Sequence, residues 1–200
     1  MPKPSDAAAA VVEADKAVAE AVLPHEESLP VRLLEHVADL GDQPPMRILC
    51  ASVIVVGLIG GDRRLARTGV KMLAAHTLAT LAKDFVKHRV DRTRPRSSKK
   101  PGKDPKPRRG RDRSKEETSF PSGHSAGAMA VASALAREYP DQAIPAYLAG
   151  SVLALAQIPR CAHYPSDVGV GSAIGLASEV VTDLVLGLAM PSLARDAADE

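Results

Sequence analysis

Apolar and polar positions along this chain fall into long blocks with helical periodicity and no sustained strand-like alternation. Residues 5–23 form an Ala-rich stretch ended by Pro24, which predicts a helix. A second helix is predicted from Ser28, with Pro30 just inside its first turn, to Gly41 ahead of Pro44 and Pro45. Within it Leu33, Leu34, Val37 and Leu40 recur at helical spacing opposite Arg32, Glu35 and Asp39. That amphipathic pattern suits either a membrane surface or packing on a bundle, and its acidic side disfavours tight binding to anionic lipid. Five apolar helices follow, over 46–61, 69–90, 122–138, 143–159 and 168–190. The first and fourth, at about 16 residues, are short for a hydrocarbon core of roughly 30 Å, whereas the last is long enough to cross one. The pairs Gly123/Gly127 and Gly171/Gly175 have the four-residue spacing that lets helices approach closely. The expected fold class is all-α: a bundle of about five apolar, membrane-spanning helices preceded by N-terminal amphipathic helices. The expected organisation is an acidic segment over 1–45 and a bundle over 46–190, interrupted by a basic flexible loop at 97–118.

Composition supports the helical reading. The 200 residues are rich in Ala, Val and Leu, with no Trp, two Phe and three Tyr, so strand-favouring aromatics are scarce. The length is that of one domain with a sizeable core. A net charge of +2 conceals a strong asymmetry: residues 1–45 carry nine acidic and three basic side chains, residues 91–120 five acidic and twelve basic. No basic leader precedes the first apolar stretch, so no signal peptide is read there. Ser97 to Thr118, dense in Lys, Arg, Pro, Gly and Ser, reads as a solvated loop that draws in anionic lipid or substrate. Specific nucleic-acid binding is not expected of it, because stacking aromatics are missing. Cys50 and Cys161 fit neither a disulfide framework nor a zinc spacing and read as small buried apolar residues.

Three short clusters carry the candidate chemistry. Lys87 is followed at a distance by Arg94-Pro95, then comes Pro121-Ser122-Gly123-His124, then His163-Tyr164-Pro165-Ser166-Asp167. Hydrolysis of a phosphate ester needs an in-line nucleophile, positive charge around the phosphoryl oxygens and a proton for the leaving alkoxide. Lys87 and Arg94 supply cations, and Pro95 turns the backbone at Arg94 away from helix. Ser122 is a candidate N-cap, and the amides after Gly123 can receive a phosphate at the helix start. His124 has the pKa range for acid and base work. His163 and Asp167, four apart, share one face of a helix, so a carboxylate can fix the imidazole tautomer for nucleophilic attack. His88, Arg89, Arg92 and Arg96 are read as solvated or headgroup-facing, and His25 and His36 as surface residues. Glu179 and Asp183 lie deep in the last helix, with Lys71, His76 or Lys83 as candidate partners. No carboxylate or Cys/His cluster has ligand spacing, so neither a metal nor another cofactor is expected.

In that order the clusters resemble the type 2 phosphatidic acid phosphatase family, whose superfamily includes vanadium haloperoxidases and bacterial acid phosphatases. The resemblance spans Lys87 to Asp167. It implies that His163 is the nucleophile and forms a phosphohistidine, that Asp167 orients it, and that His124 protonates the leaving oxygen and later activates water. Phosphatidic acid, phosphatidylglycerol phosphate and isoprenoid diphosphate are the family's usual substrates, and the chain does not choose among them. The third cluster departs from the family pattern: Ala156-Gln157 stand where a serine and a phosphate-binding arginine belong. Arg160 is the nearest replacement. Two alternatives follow, a vanadate-dependent haloperoxidase and a catalytically silent lipid-phosphate-binding protein. The family's habit places the site on the outer face of the cytoplasmic membrane, whereas the basic 91–120 stretch favours the cytoplasm. Oligomeric state is left open.

Overall fold

The computed structural model describes residues 4–98 and 106–189. Seven α-helices run in chain order among them: α1 Pro4–Val22, α2 Leu29–Asp39, α3 Gln43–Gly60, α4 Arg63–Lys87, α5 Gly123–Glu138, α6 Ala143–Leu155 and α7 Pro165–Ala189. Their limits follow local chemistry. Pro44 and Pro45 sit in the first turn of α3, where a missing amide hydrogen leaves no bond unmade. Gly61, at φ 70°, closes α3 in the left-handed conformation that costs glycine little. Asp62 then caps α4 by accepting a 2.8 Å hydrogen bond from Leu65 N. This cap starts α4 six residues earlier than the apolar pattern predicts.

α5 is the central helix and packs against α4, α6 and α7, with α3 laid along α4. Its alanines make this possible. Ala126, Ala128, Ala130, Val131 and Ala134 form the core with Met46, Cys50, Met72, Ala75 and Ala79. A Cβ built on Gly171 or Gly175 of α7 would fall inside 3.0 Å of Ser122 O or Ala126 O respectively. The two glycines therefore set the α5–α7 distance, and with it the spacing of the second and third clusters.

Two helices are long and apolar enough to cross a membrane, over Gln43–Gly60 and Pro165–Leu188. α5 and α6 have only 16 and 13 residues, and the 25-residue α4 carries Lys71, His76 and Lys83 along its length. The outer surface is strongly apolar: Leu58, Ile59, Ile144, Leu148, Leu184 and Leu188 are all more than 60 % exposed. An apolar belt of this extent marks a surface that meets lipid.

One expectation is corrected away from the clusters, the partner of Glu179. The basic stretch also makes contacts over 106–118 that its composition does not indicate. Arg108–Arg109 pair antiparallel with Val90–Asp91, Asp112 N donates to Asp91 Oδ1 at 3.0 Å, and buried Glu117 accepts from Thr93 Oγ1 at 3.0 Å and Arg108 Nη2 at 2.9 Å. Acidic residues within the basic stretch thus tie it down; residues 99–105 lie outside the described part. Glu179 pairs with none of its three candidate partners. Arg137 grips it with Nε–Oε1 2.5 Å and Nη2–Oε2 2.9 Å, while Lys71 bonds Asp183 at 2.7 Å and Glu138 at 2.5 Å.

Candidate active site

The three clusters meet at one end of the bundle, held together by main-chain bonds. Ser122 N donates to Asp167 O at 3.1 Å, which joins the start of α5 to the start of α7. Arg96 N donates to Cys161 O at 3.1 Å and Arg94 Nη1 to Ala162 O at 3.3 Å, which joins the segment after α4 to the loop before α7. Ser119 N donates to Arg92 O at 3.0 Å.

His163 is almost fully buried, at 2 % exposure. Its Nδ1–H donates to the carbonyl oxygen of Ser119 at 2.7 Å, and this fixes the tautomer that leaves Nε2 with a free lone pair. Asp167 Oδ2 stands 3.8 Å from the same nitrogen, beyond a hydrogen bond. The orienting acceptor is therefore Ser119 O, with the carboxylate contributing charge from one step back. Burial pushes the His163 pKa down to about 4 despite the neighbouring Asp167, so the imidazole is neutral at pH 7.

Asp167 is fully buried and used up by other donors. It accepts from Arg92 Nη1 at 2.5 Å, Ser119 Oγ at 2.5 Å and Tyr164 N at 2.9 Å. Arg92, expected at the solvated surface, is 1 % exposed, stacks on the Tyr164 ring at 4.1 Å and reaches Asp15 Oδ2 through Nη2 at 2.7 Å. Asp15, itself 2 % exposed on α1, also accepts from Ser166 N at 3.0 Å and Ser166 Oγ at 2.5 Å. The chain from α1 through Arg92 to Asp167 locks the His163 loop from behind.

His124 lies in the first turn of α5. Ser122 caps that helix by accepting from Ser125 N at 3.3 Å and Ser125 Oγ at 2.8 Å, so its hydroxyl serves the helix. The amides of Gly123 and His124, ahead of those bonded to Ser122, remain for an anion. A side chain at 123 would meet Lys83, whose Cε is 3.3 Å from the Cβ position, so a second ammonium-bearing side chain runs beneath the cradle. His124 Nε2 is 2.8 Å from Asp42 Oδ1, a carboxylate at the α2–α3 corner. Burial lowers the His124 pKa below its ordinary value, and Asp42 partly opposes this.

The cations differ in how committed they are. Lys87 ends α4 with no ion pair among the described residues; burial and the neighbouring Lys83 and Arg94 lower its pKa to about 8. Arg94 donates through Nε to Lys115 O at 2.7 Å and through Nη1 to Ala162 O, leaving Nη2 as its available donor. Burial, with Arg96 alongside, lowers its pKa. Arg160 Nη2 is held by Glu35 Oε1 at 3.1 Å and Asp39 Oδ1 at 3.0 Å, while Nε and Nη1 are buried without a partner. Gln157, on the family's arginine position, is fully buried, and its backbone carbonyl accepts from Ala162 N and His163 N, both at 3.2 Å. It shapes the loop beneath His163. A cleft of about 660 Å³ opens beside Arg94 and Arg160, walled by α2 through Val31, Arg32 and Glu35.

Ser119, Arg92, Asp15, Asp42 and Lys83 are thus parts of the site that sequence reasoning missed. Only a charged side chain in an otherwise apolar or Ala-rich neighbourhood signalled Asp15 and Lys83. Nothing local marked Ser119, which acts through its main chain.

Two solved structures share this fold at 21 % identity each. One is LpxE of Aquifex aeolicus, with TM-score 0.56 and coverage of 78 % of this chain and 86 % of that one. The other is the transmembrane PAP2-type phosphatidylglycerolphosphate phosphatase of Bacillus subtilis, with TM-score 0.61 and coverage of 87 % and 85 %. No curated protein matches the chain in sequence. The family model of the PAP2 superfamily matches residues 68–187, which include every one of the three clusters, and the chain belongs to that superfamily.

Proposed function

We propose that this membrane protein hydrolyses a phosphate monoester or diphosphate carried on a lipid, through a phosphohistidine on His163. The observation that carries the reading is the bond from His163 Nδ1 to Ser119 O, which leaves Nε2 unprotonated beside Lys87 and Arg94. In the first step Nε2 attacks phosphorus and the bond to the leaving oxygen breaks, while protonated His124 gives that oxygen its proton. In the second, neutral His124 takes a proton from water, the resulting hydroxide attacks the phosphohistidine, and inorganic phosphate leaves with His163 regenerated. Lys87, Arg94 Nη2, the two unpartnered nitrogens of Arg160 and the amides of Gly123 and His124 balance charge on the phosphoryl oxygens. Arg160 stands in for the arginine missing at 157. Asp167 serves by holding the loop and by its charge.

The likeness to a transmembrane phosphatidylglycerolphosphate phosphatase and the two apolar spans support a lipid substrate and a multi-pass place in the cell inner membrane. We assign the active end to the extracytoplasmic face. Inorganic phosphate release from phosphatidic acid, phosphatidylglycerol phosphate and isoprenoid diphosphate tests the reading. Wild type should turn over at least one of them and His163→Ala none; a silent wild type on all three would refute it.

A further inference from the structure

α2 is divided lengthwise into distinct faces. Leu29, Leu33, Val37 and Leu40 are 71 %, 61 %, 41 % and 60 % exposed. At about 100° per residue they fall within an arc of roughly 80°. Ala38, with no exposure, turns to the bundle, and Glu35 and Asp39 turn to Arg160 on a third side. Three large aliphatic side chains on this 11-residue helix, and a fourth at its C-cap Leu40, are left pointing outward.

We propose that this face of α2 is seated in the membrane surface, so that α2 is an interfacial helix fixing the mouth of the active site at headgroup level. Along the chain the stripe ends at Leu40, and after the buried Gly41 and half-exposed Asp42 comes α3, a candidate span whose Ile48 and Leu49 are 65 % and 49 % exposed. The covering phase on α3 is lipid, and the same phase continues along the chain onto α2. At about 1.5 Å per residue α2 is some 16 Å long, too short to cross and suited to lying in the interface plane. Its half-exposed carboxylates, Glu35 and Asp39, lie off the aliphatic face and are paired with Arg160, which offsets their repulsion from an anionic surface. Because Val31, Arg32 and Glu35 wall the cleft, seating α2 in lipid sets that cleft beside lipid headgroups.

The proposal is independent of the reaction proposed above, and its test needs no turnover. Single cysteines at Leu33→Cys and Arg32→Cys, carrying a small fluorophore, are placed in the full chain in phosphatidylcholine vesicles; Cys50 and Cys161 are buried and do not compete for label. Nitroxide-labelled phosphatidylcholine should quench the Leu33 probe several-fold more than the Arg32 probe, and aqueous iodide should do the reverse. Equal quenching by iodide at both positions would overturn the proposal. So would protection of the Leu33 probe from both quenchers, which would indicate cover by a second copy of the chain.

Discussion

Asp15 on α1 and Arg92 behind the active site form a buried ion pair at 2.7 Å, and the other end of the same guanidinium holds Asp167 at 2.5 Å. All three side chains are at most 3 % exposed. An N-terminal helix that lies outside the region matched by the family model therefore braces the loop that presents His163. Removing one member of such a buried set leaves an uncompensated charge, at a typical penalty of about 3–5 kcal/mol. Asp15→Ala should lower the thermal unfolding temperature in detergent and reduce turnover together. A wild-type melting curve for Asp15→Ala would show that α1 is dispensable to the site.

The two site histidines predict an acidic pH profile. As the proposed nucleophile His163 must be neutral, and its pKa is depressed to about 4, so kcat/KM should rise as pH climbs through that value. As the proposed acid His124 must be protonated, and its pKa lies below the ordinary 6.5, so kcat/KM should fall as pH passes upward through it. A bell-shaped profile with its maximum between these limits is expected with a soluble phosphate ester. Asp42→Asn removes the charge that favours protonated His124 and should move the alkaline limb to lower pH. An unmoved limb would remove Asp42 from the account.

Arg160 has one committed and two uncommitted nitrogens. If those two bind phosphate, Arg160→Ala should lose on the order of 10²- to 10³-fold in turnover, the range for deleting one transition-state donor. Gln157→Ala should instead lower stability through the buried loop, with a smaller effect on rate in the protein that remains folded. A rate for Arg160→Ala equal to wild type would refute its role as the substitute.

The α5–α7 contact is set by missing side chains. Gly175→Ala places a methyl group against Ala126 O, a main-chain atom that cannot swing aside. Overpacking of this kind typically costs about 1–3 kcal/mol. The variant should melt lower and lose activity, because α5 carries His124 and α7 carries Asp167. Gly169→Ala, with open space at the same test position, is the control and should behave as wild type.

The three clusters were legible because each keeps its chemistry within a few residues of chain, and the helices because Ala- and Leu-rich blocks end at Pro and Gly. What was not legible depends on which distant segment arrives. Arg92 looks like any arginine of a basic run until α1 brings Asp15 against it. Asp167 sits at helical spacing from His163, yet the tight turn at Tyr164 gives its oxygens to Arg92, Ser119 Oγ and the Tyr164 amide. Glu179 met Arg137 because α5 ends beside the middle of α7, a register that no periodicity reports.

The central claim is that His163 Nε2 becomes bonded to phosphorus. Enzyme incubated with substrate labelled in its phosphate and rapidly denatured in alkaline detergent should carry an acid-labile, alkali-stable label on His163 that is missing in His163→Ala. Labelled wild type lacking phosphohistidine at that position, or a His163→Ala variant that releases phosphate at the wild-type rate, would contradict the account.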